Sequence, residues 1–497
     1  MSIKPGVVLI AACAVASLAA VGADTPLIEA AKNGRPAEVR ALVRQHVDVN
    51  ARETDGTTAL HWAVRADDLE SATLLIHAGA RIDAVNRYGV APLSLAAVNG
   101  NAAIVSLLLN SGADPDTASP EGETALMTAA RTGTPAPVIA LLNAGADVNA
   151  REHWLSETAL MWAAAENHAE VARILLDYGA EIDARSLQQE FAPFRFNLAT
   201  MVNTVLPRGG LTALMIAARQ GAVQAGRVLI SRHADLNMTD SDGASALVMA
   251  ILNGHYAAAA LLVDSGADPN IGDTAGMAAV YAAVDMHTQP LMINRPTRKP
   301  TGAVDNLDVL KQLLTHGADP NARLKTVLLA RYHNTGDGQL GPGSTPLMRA
   351  AKSIDLPAMH LLIEAGADPR LQNRNNATAL MFAAGLGRSG LAGRPEHEAL
   401  DAVALCLDHG ADVNAANAAG QTVLHIAVEQ SDALVKLLVT RGARLDAKDR
   451  QGKTPLDLVL GDAPAGRGAR PRDAAARDAT AALLRQLMAD GAVSRGR

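Results

Sequence analysis

One short motif recurs along this 497-residue chain at an almost constant spacing, and that spacing limits the folds the chain can adopt. The motif reads TALHWA from Thr58, TALMTAA from Thr124 and TPLMRAA from Thr345. Its apolar marker residue recurs most often after 33 residues, at Leu27, Leu60, Leu93, Leu126, Leu160, Leu214, Leu247, Val280, Leu347, Leu380, Leu424 and Leu456. A unit of this size cannot bury its own apolar face, so neighbouring units must stack. We therefore predict one repeat array rather than three or four globular domains.

A second signature, Gly-Ala-Asp followed by Val or Pro and then Asn, closes many of the units, as at 145–149, 266–270 and 410–414. Both signatures have local physical explanations. The Thr of the first motif can cap a helix by accepting a backbone N–H bond, and Pro346 fits the first helical position. Gly after a second helix fits the left-handed conformation that ends helices. Each unit is therefore predicted to be a helix pair followed by a hairpin-like loop.

Two signatures repeated at this period resemble the ankyrin repeat, and the resemblance covers nearly all of the chain beyond its N-terminus, as about twelve units. The resemblance implies an all-α ankyrin-repeat solenoid of helix-turn-helix units with β-hairpin-like loops. It also implies inter-repeat hydrogen bonds for His61 and His425, which occupy the His position of the family's T-P-L-H motif. A content of only 2% aromatic residues suits closely packed helices of small aliphatic side chains.

Interruptions of the period predict insertions into the array. The predicted organisation is a signal peptide over 1–23, repeats one to five over 24–186, an insertion over 187–208, repeats six to eight over 209–286, an insertion over 287–306, the second helix of repeat eight over 307–323, an insertion over 324–343, and repeats nine to twelve over 344–492 with an insertion over 388–397. Loops between ankyrin repeats join the hairpins, so we expect the insertions at 187–208 and 324–343 beside the binding groove.

The N-terminus has the pattern of an export signal. Lys4 precedes an uncharged apolar run over 7–20, and 21–23 supplies small residues at a cleavage position. We expect cleavage after Ala23 and a periplasmic or secreted protein, with an uncleaved anchor helix or a lipoprotein using Cys13 as alternatives. The excess of Arg over Lys, together with the abundance of Ala, indicates a bacterial source. We expect no membrane span in the mature chain.

Cleavage would leave Cys406 as the one cysteine, so no intramolecular disulfide could form. Cys406 lies in an apolar run over 403–407. We predict a buried, inert side chain there rather than a reactive thiol.

Composition and motifs argue against several function classes. A net charge of −7 argues against nucleic-acid binding, which needs a positive field. The G-x-G-x-x-G match at 385–390 follows a predicted helix rather than a strand, and HEALD at 397–401 lacks the second His of a zinc motif. The sequence therefore predicts no enzyme, cofactor or metal site. His153, His333 and His397 are expected in loops and are the histidines left without a structural explanation.

Candidate contact residues follow from the resemblance, because ankyrin repeats bind through hairpin tips and the exposed ends of first helices. The predicted tips are Arg87, Tyr88, Trp154 and Leu155, and the helix ends include Lys32, Arg65, Arg131, Glu166 and Arg219. Trp, Tyr and Arg are enriched in binding hot spots. Packing against a neighbouring hairpin is the alternative for Tyr88 and Trp154. By contrast, Trp62, Trp162 and Phe382 are predicted to be core.

Two insertions have unusual composition. Phe191, Phe194 and Phe196 either hold the first insertion against its own array or contact a partner. The segments over 287–306 and 324–343, with the adjoining Arg323, are basic, and could meet an acidic partner or a lipid headgroup. The basic residues are Arg295, Arg298, Lys299, Arg323, Lys325 and Arg331. A solvated loop surface is the alternative.

We therefore predict a non-catalytic, monomeric scaffold of the cell envelope that binds a protein partner on the concave face of the solenoid. The first alternative is a structural or protective envelope protein that acts through self-association or lipid contact. The second is an enzyme or ligand-binding module whose site is built from the insertions.

Overall fold

The structure is a computed structural model that describes residues 26–189, 209–288, 304–326, 340–387, 395–461 and 474–495. Throughout these ranges the regular structure is helical, with isolated antiparallel bridges in the connecting loops and no extended strand. This confirms the predicted all-α fold class. The signal-peptide prediction and residues Phe191, Phe194, Phe196 and His333 lie outside the described residues.

The helices occur in consecutive pairs. In chain order they are α1 Pro26–Lys32, α2 Pro36–Arg44, α3 Ala59–Arg65, α4 Leu69–His77, α5 Pro92–Asn99, α6 Ala102–Asn110, α7 Ala125–Thr132, α8 Pro135–Asn143, α9 Ala159–Ala165, α10 Ala169–Asp177, α11 Ala213–Gln220, α12 Val223–Ser231, α13 Ala246–Leu252, α14 Tyr256–Asp264, α15 Ala279–Thr288, α16 Asn306–Thr315, α17 Pro346–Ser353, α18 Leu356–Glu364, α19 Ala379–Ala383, α20 Glu396–Asp408, α21 Val423–Ala427, α22 Asp432–Thr440, α23 Pro455–Leu460 and α24 Ala474–Arg495. Among the described residues, none of these helices has the length and apolar character needed to span a bilayer.

The chain divides into two compact units. Unit 1 takes the described residues up to Leu187, together with Leu211–Ala217 and Gln224–Ala234. Unit 2 takes the described residues of Gln188–Gly210, the segment Ala218–Val223, and those from Asp235 onward.

The first helix of a pair is buried on most sides because it packs against three other helices. Helix α7 contacts its own partner α8 and the first helices α5 and α9 of the adjacent repeats. Six consecutive side chains, from Ala125 to Ala130, are accordingly buried. Small and aliphatic residues predominate in this helix because they fit closely between three neighbours. Its N-terminus is capped as predicted, because the Thr124 hydroxyl oxygen accepts the Met127 backbone N–H at 3.3 Å.

His61 links a helix start to the next repeat, as the resemblance implied. Its Nδ1 lies 2.9 Å from the Thr58 hydroxyl and accepts the Thr58 backbone N–H at 3.3 Å, while Nε2 donates to the Val90 carbonyl at 3.0 Å. His425 makes the same set of bonds with Thr422 and the Lys453 carbonyl. Burial lowers the pKa of both imidazoles below the ordinary value near 6.5.

The loops between repeats form hairpin-like fingers, each running from the second helix of one repeat to the first helix of the next. Isolated antiparallel bridges close four of them, at Arg52–Thr58, Ala118–Thr124, Thr239–Ser245 and Ala416–Thr422. At the turn, Gly89 has a φ of 74° and packs so closely on Pro120 that a Cβ would lie 2.2 Å from the proline ring. A side chain there would break both the turn and the contact between fingers.

Most adjacent fingers are joined by one main-chain hydrogen bond. The fingers of Asn86 and Ser119 are joined by the packing of Gly89 on Pro120 instead, because Pro120 has no N–H to donate. Arg87 donates its backbone N–H to the Asp55 carbonyl, and His153 donates to the Glu121 carbonyl, both at 2.7 Å. The same bond recurs in unit 2, where the pairs are Thr274–Asp242, Lys325–Ala275, Arg374–Pro342, Ala418–Asn375 and Arg450–Ala419. The fingers of each unit are therefore fixed relative to one another by the backbone.

The Asn that ends the second signature bridges two repeats. Asn149 donates its side-chain N–H to the Gly179 carbonyl at 3.2 Å and accepts the Glu181 backbone N–H at 2.8 Å. Asn50, Asn270, Asn321 and Asn414 make the same pair of bonds. Asp116 replaces this Asn in one repeat and keeps only the acceptor half, from Asp147 at 2.8 Å. The second signature therefore indicates a contact between repeats as well as the end of a helix.

Three predicted boundaries need correction. The segment 307–323 was expected to be helix, but α16 runs over Asn306–Thr315 because the Gly-Ala-Asp-Pro signature at 317–320 ends it. His287 was assigned to an insertion, yet it lies in α15, where its Nδ1 is 2.5 Å from the Asp355 carboxylate. His397 was assigned to a loop, yet it lies in the first turn of α20, which begins directly after Pro395.

The described ends of the insertions at 187–208 and 324–343 lie in fingers, as expected. Ser186 donates its backbone N–H to the Leu211 carbonyl at 2.9 Å, and Leu324 donates to the Ser344 carbonyl at 3.0 Å. Asn86 and Val90 close an ordinary finger in the same way. Both insertions therefore begin and end at finger positions, without disturbing the base of the finger.

We predict that Asn149→Ala lowers the free energy of unfolding by about 1–2 kcal/mol, because it removes two inter-repeat hydrogen bonds. Urea unfolding followed by circular dichroism measures this. Asn149→Asp is the matched control, since it keeps the acceptor for Glu181 and loses only the donor, and its loss should be smaller. A stability of the Ala variant equal to that of the original chain would contradict the bridging role.

His61 and His425 should make stability depend on pH. Because their pKa values are lowered in the folded state, the unfolded state binds more protons as the pH falls through about 6.5. Their contribution is complete above that pH and is lost on acidification. The double variant His61→Gln, His425→Gln should therefore show a shallower loss of unfolding free energy between about pH 7.5 and pH 5.5. An unchanged slope would show that these imidazoles do not titrate as inferred.

Candidate functional site

The tip of an ordinary finger is held by one short polar side chain. Asn86 accepts the backbone N–H groups of Tyr88 and Val90 through Oδ1, both at 3.0 Å. Ser119, Asp240, Asp273, Asn373, Asn417 and Asp449 accept the equivalent pair in their own fingers. The tip residues are therefore presented in a fixed conformation.

The finger before α9 is one residue longer, and its polar anchor is correspondingly longer. Glu152 takes the anchoring position, and its buried carboxylate accepts three backbone N–H groups. The donors are Trp154 at 2.5 Å, Leu155 at 2.8 Å and Glu157 at 2.8 Å. The additional methylene of Glu lets one carboxylate span the longer tip, so this finger is as well held as the shorter ones.

This finger displays the most exposed large apolar side chain among the described residues. Trp154 is 74% exposed, and Leu155 beside it is 38% exposed. Leu187, in the next finger, is also exposed and donates its backbone N–H to the Leu155 carbonyl at 2.6 Å. Three apolar side chains thus form one patch, which we call the apolar tip patch. Its Leu187 was not predicted from the sequence.

Tyr88 and Arg87 form a second exposed tip in unit 1. Tyr88 is 57% exposed. The Arg87 guanidinium lies 4.9 Å from the centre of its ring and donates to its hydroxyl at 2.7 Å. The pair is therefore a stacked unit whose two members hold each other in place.

The first helices add charged and aromatic groups beside the fingers. Trp62 is half-buried, with the Lys32 ammonium 4.8 Å and the Arg65 guanidinium 5.3 Å from its ring centre. Its indole N–H donates to the Glu53 carboxylate at 2.8 Å, and Glu53 also lies 3.8 Å from Lys32. Two cations, one anion and one aromatic ring therefore form a single cluster.

The same arrangement recurs three repeats further along. Trp162 is half-buried, the Arg131 guanidinium lies 4.8 Å from its ring centre, and its indole N–H donates to Glu157 at 3.1 Å. The prediction that Trp62 and Trp162 are core residues was therefore wrong, because the indole N–H groups reach acceptors at the surface. Phe382, which has no polar atom, is fully buried as predicted.

A simple register underlies these clusters. The residue five positions after the apolar marker of one repeat lies over the residue two positions after the apolar marker of the next repeat. Lys32, which lies over Trp62, is an example. In unit 2 the same positions hold a buried ion pair, in which the Arg349 guanidinium donates to the Asp285 carboxylate at 2.5 Å. The same pair of positions therefore recurs between adjacent repeats, and different residue types occupy it at the surface and in the core.

The structure also describes Arg219, His153 and Cys406, which the sequence singled out. Arg219 is half-buried at the end of α11, and the His153 ring packs on Gly122. Burial raises the pKa of the Cys406 thiol to about 12, which agrees with an inert side chain. Within the described ranges, no group of His, Cys, Asp and Glu has the arrangement needed to hold a metal ion.

Ser156 offers a test of the strain in this finger. It adopts a φ of 57° at a position where most other fingers carry Gly and one carries Asn376, and this conformation costs a residue with a Cβ about 1 kcal/mol. Ser156→Gly should therefore raise the free energy of unfolding by up to that amount in urea unfolding. Ser156→Ala keeps the strain and should bring no gain, and Gly452→Ala, at a φ of 75° in open space, should lose a similar amount. Equal stability of the Gly and Ala variants would contradict this explanation.

Comparison with known families identifies repeats over most of the chain. A model described as ankyrin repeats (3 copies) matches residues 9–86, 87–186, 195–273 and 302–392. A second, described as ankyrin repeats (many copies), matches residues 407–459. Together these ranges cover well over half of the chain.

Curated relatives share only short stretches. Human neurogenic locus notch homolog protein 1 is 39% identical over 72 residues, which is 14% of this chain and 3% of the relative. Alpha-latroinsectotoxin-Lt1a of Latrodectus tredecimguttatus is 36% identical over 83 residues, 16% of this chain and 6% of the toxin. E3 ubiquitin-protein ligase KEG of Arabidopsis thaliana is 26% identical over 186 residues, 36% of this chain and 9% of the ligase. The chain thus spans less than a tenth of the length of these relatives.

A solved structure, the human ASB11 ankyrin repeat domain, aligns with 46% of this chain and 91% of its own length. The sequence identity is 26%, and the TM-score is 0.38.

Proposed function

Because the chain belongs to the ankyrin-repeat family, we propose that it is a non-catalytic scaffold that binds a protein partner through the fingers and first helices of unit 1. The observation that carries this proposal is Trp154, which is 74% exposed at a tip fixed by three hydrogen bonds to Glu152. An exposed indole has no stabilising role in its own fold. A large, rigid aromatic group is typical of the residues that dominate binding free energy.

The surface around Trp154 supports the proposal. Leu155 and Leu187 extend the apolar area, and Tyr88 with Arg87 adds an aromatic and a cation on another finger. Hydrogen bonds between fingers hold these groups before any partner arrives, so little conformational entropy is lost on binding. Such a surface favours recognition of a folded partner or a peptide.

We further propose that the protein acts in a bacterial cell envelope, as a monomer. The support is the export pattern over 1–23, with its apolar run and small residues before Asp24. Fractionation followed by mass spectrometry of the N-terminus tests this. A periplasmic or secreted chain beginning at Asp24 agrees with the proposal, whereas a cytoplasmic chain that retains residues 1–23 contradicts it.

The binding surface is tested by Trp154→Ala and Tyr88→Ala. Each should weaken capture of the partner from envelope extracts, by roughly thirtyfold if the residue is a hot spot worth about 2 kcal/mol. The melting temperature should not change, because both side chains are largely exposed. Immobilised mature chain and quantitative mass spectrometry provide the measurement.

The control is Tyr178→Ala, which removes an exposed aromatic ring at the end of α10 rather than at a finger tip, together with the hydrogen bond that its hydroxyl donates to Asn143. Capture that survives both finger substitutions would remove this surface from the proposal. Light scattering after size-exclusion chromatography, with and without liposomes, separates partner binding from self-association and lipid contact.

A further inference from the structure

The fingers of unit 2 carry a row of basic side chains at equivalent positions. The equivalence is set by the backbone, because each of these residues donates its N–H to a carbonyl of the preceding finger. Lys325 donates to Ala275 at 2.8 Å, Arg374 to Pro342 at 2.8 Å and Arg450 to Ala419 at 3.0 Å. The finger between the last two places Ala418 at this position. We call Lys325, Arg374 and Arg450 the cationic row.

The charges of the cationic row are not neutralised by the described residues. All three side chains are exposed, and none of the ion pairs among the described residues includes them. Exposed Arg323, Lys448 and Lys453 add further positive charge to the same fingers. This row stands out in a chain whose net charge is −7.

The acidic side chains that the structure describes in these fingers already have partners. Asp449 accepts the backbone N–H groups of Gln451 and Lys453 at 2.8 and 2.9 Å. Asp368 pairs with Arg370 at 2.9 Å, and Asp446 pairs with Arg444 at 3.2 Å. Asp319 and Asp412 accept backbone N–H groups at the finger bases. None of these carboxylates forms an ion pair with Lys325, Arg374 or Arg450.

The spacing of the row matches an extended polypeptide. Stacked helices lie about 8–10 Å apart, and an extended chain advances about 3.3 Å per residue, so one finger corresponds to roughly three residues. The intervening finger carries Ala418 and Ala419, whose small side chains would not obstruct a chain that crosses it. A chain with a carboxylate at every third residue could therefore place its acidic groups over Lys325, Arg374 and Arg450.

We propose that the cationic row binds an acidic, extended polypeptide segment of a partner protein. Arginine favours carboxylates because its guanidinium can donate two parallel hydrogen bonds. A lipid surface fits less well, because peripheral membrane binding usually combines cations with exposed apolar groups. Among the described residues of unit 2, the exposed large apolar side chain is Leu460, in α23. The cationic row lies in unit 2, whereas the proposed function uses the fingers of unit 1. The two proposals share only the premise that the chain binds proteins.

Fluorescence anisotropy with the full chain tests the proposal. The probe is a labelled peptide of about 13 residues with Glu at every third position among Gly and Ser, and the control peptide has Gln instead of Glu. The Glu peptide should bind at about 20 mM salt and weaken at about 150 mM, because exposed charges are screened. The triple variant Lys325→Gln, Arg374→Gln, Arg450→Gln should bind it roughly tenfold more weakly, from three exposed pairs.

Two single variants in unit 1 serve as controls. Arg87→Gln removes a cation from the equivalent finger position of unit 1, and Trp154→Ala removes the apolar tip. Both should leave the affinity for the Glu peptide unchanged, so failure of the proposed function and failure of this inference are distinguishable. The melting temperature of the triple variant should equal that of the original chain, since the substituted side chains are exposed.

Three outcomes would overturn the proposal. These are equal binding of the Glu and Gln peptides, unchanged peptide affinity of the folded triple variant, and binding to vesicles of phosphatidylglycerol and phosphatidylcholine without binding to the Glu peptide. The last outcome would assign the row to an anionic lipid surface instead.

Discussion

In the described repeats a first helix is buried by neighbouring repeats as well as by its own second helix, and this dependence on neighbours shapes the rest of the structure. Helix α7 is covered by α5, α8 and α9, so its side chains between Ala125 and Ala130 must be small or aliphatic. The contact is reinforced by hydrogen bonds that cross from repeat to repeat, as at Asn149 and His61. Stability therefore resides at the interfaces, which is the expected behaviour of a nearly one-dimensional array.

The same interfaces give the surface its rigidity. Because the fingers are joined through their backbones, a side chain at a tip has a position set by two adjacent repeats. Substitutions at the tips change what the surface recognises without changing the core. The chain uses this freedom differently in its two units, with exposed Trp154 and Tyr88 in unit 1 and the cationic row in unit 2.

The clusters on the first helices show how one position serves different purposes. Lys32 over Trp62 is an exposed cation on an aromatic ring, whereas Asp285 with Arg349 is a buried ion pair at the equivalent register. Removing one partner of a buried pair leaves an uncompensated charge, so the second interface constrains its own residues more strongly. The exposed cluster carries no such constraint and is free to meet a partner.

Sequence reasoning succeeded where a residue's role is local or repeated. The caps, the turn glycines, the family and the buried state of Cys406 all follow from motifs within one period. It was wrong for Trp62 and Trp162, because hydrophobicity at a core register does not reveal the surface carboxylates that accept their indole N–H groups. It also did not find Leu187 beside Leu155, since the following insertion hides the finger in the linear pattern.

The amino-acid sequence by itself determined that the chain is a stack of short helix pairs. A 33-residue unit with a Thr cap and a Gly turn is too small to bury its apolar faces alone, so it must stack on its neighbours. Only the tertiary structure decided which side chains meet across an interface. Lys325, Arg374 and Arg450 are far apart in the chain and become equivalent through hydrogen bonds between fingers. The physical reason is that backbone pairing sets the register between repeats, whereas the sequence specifies only the register within one.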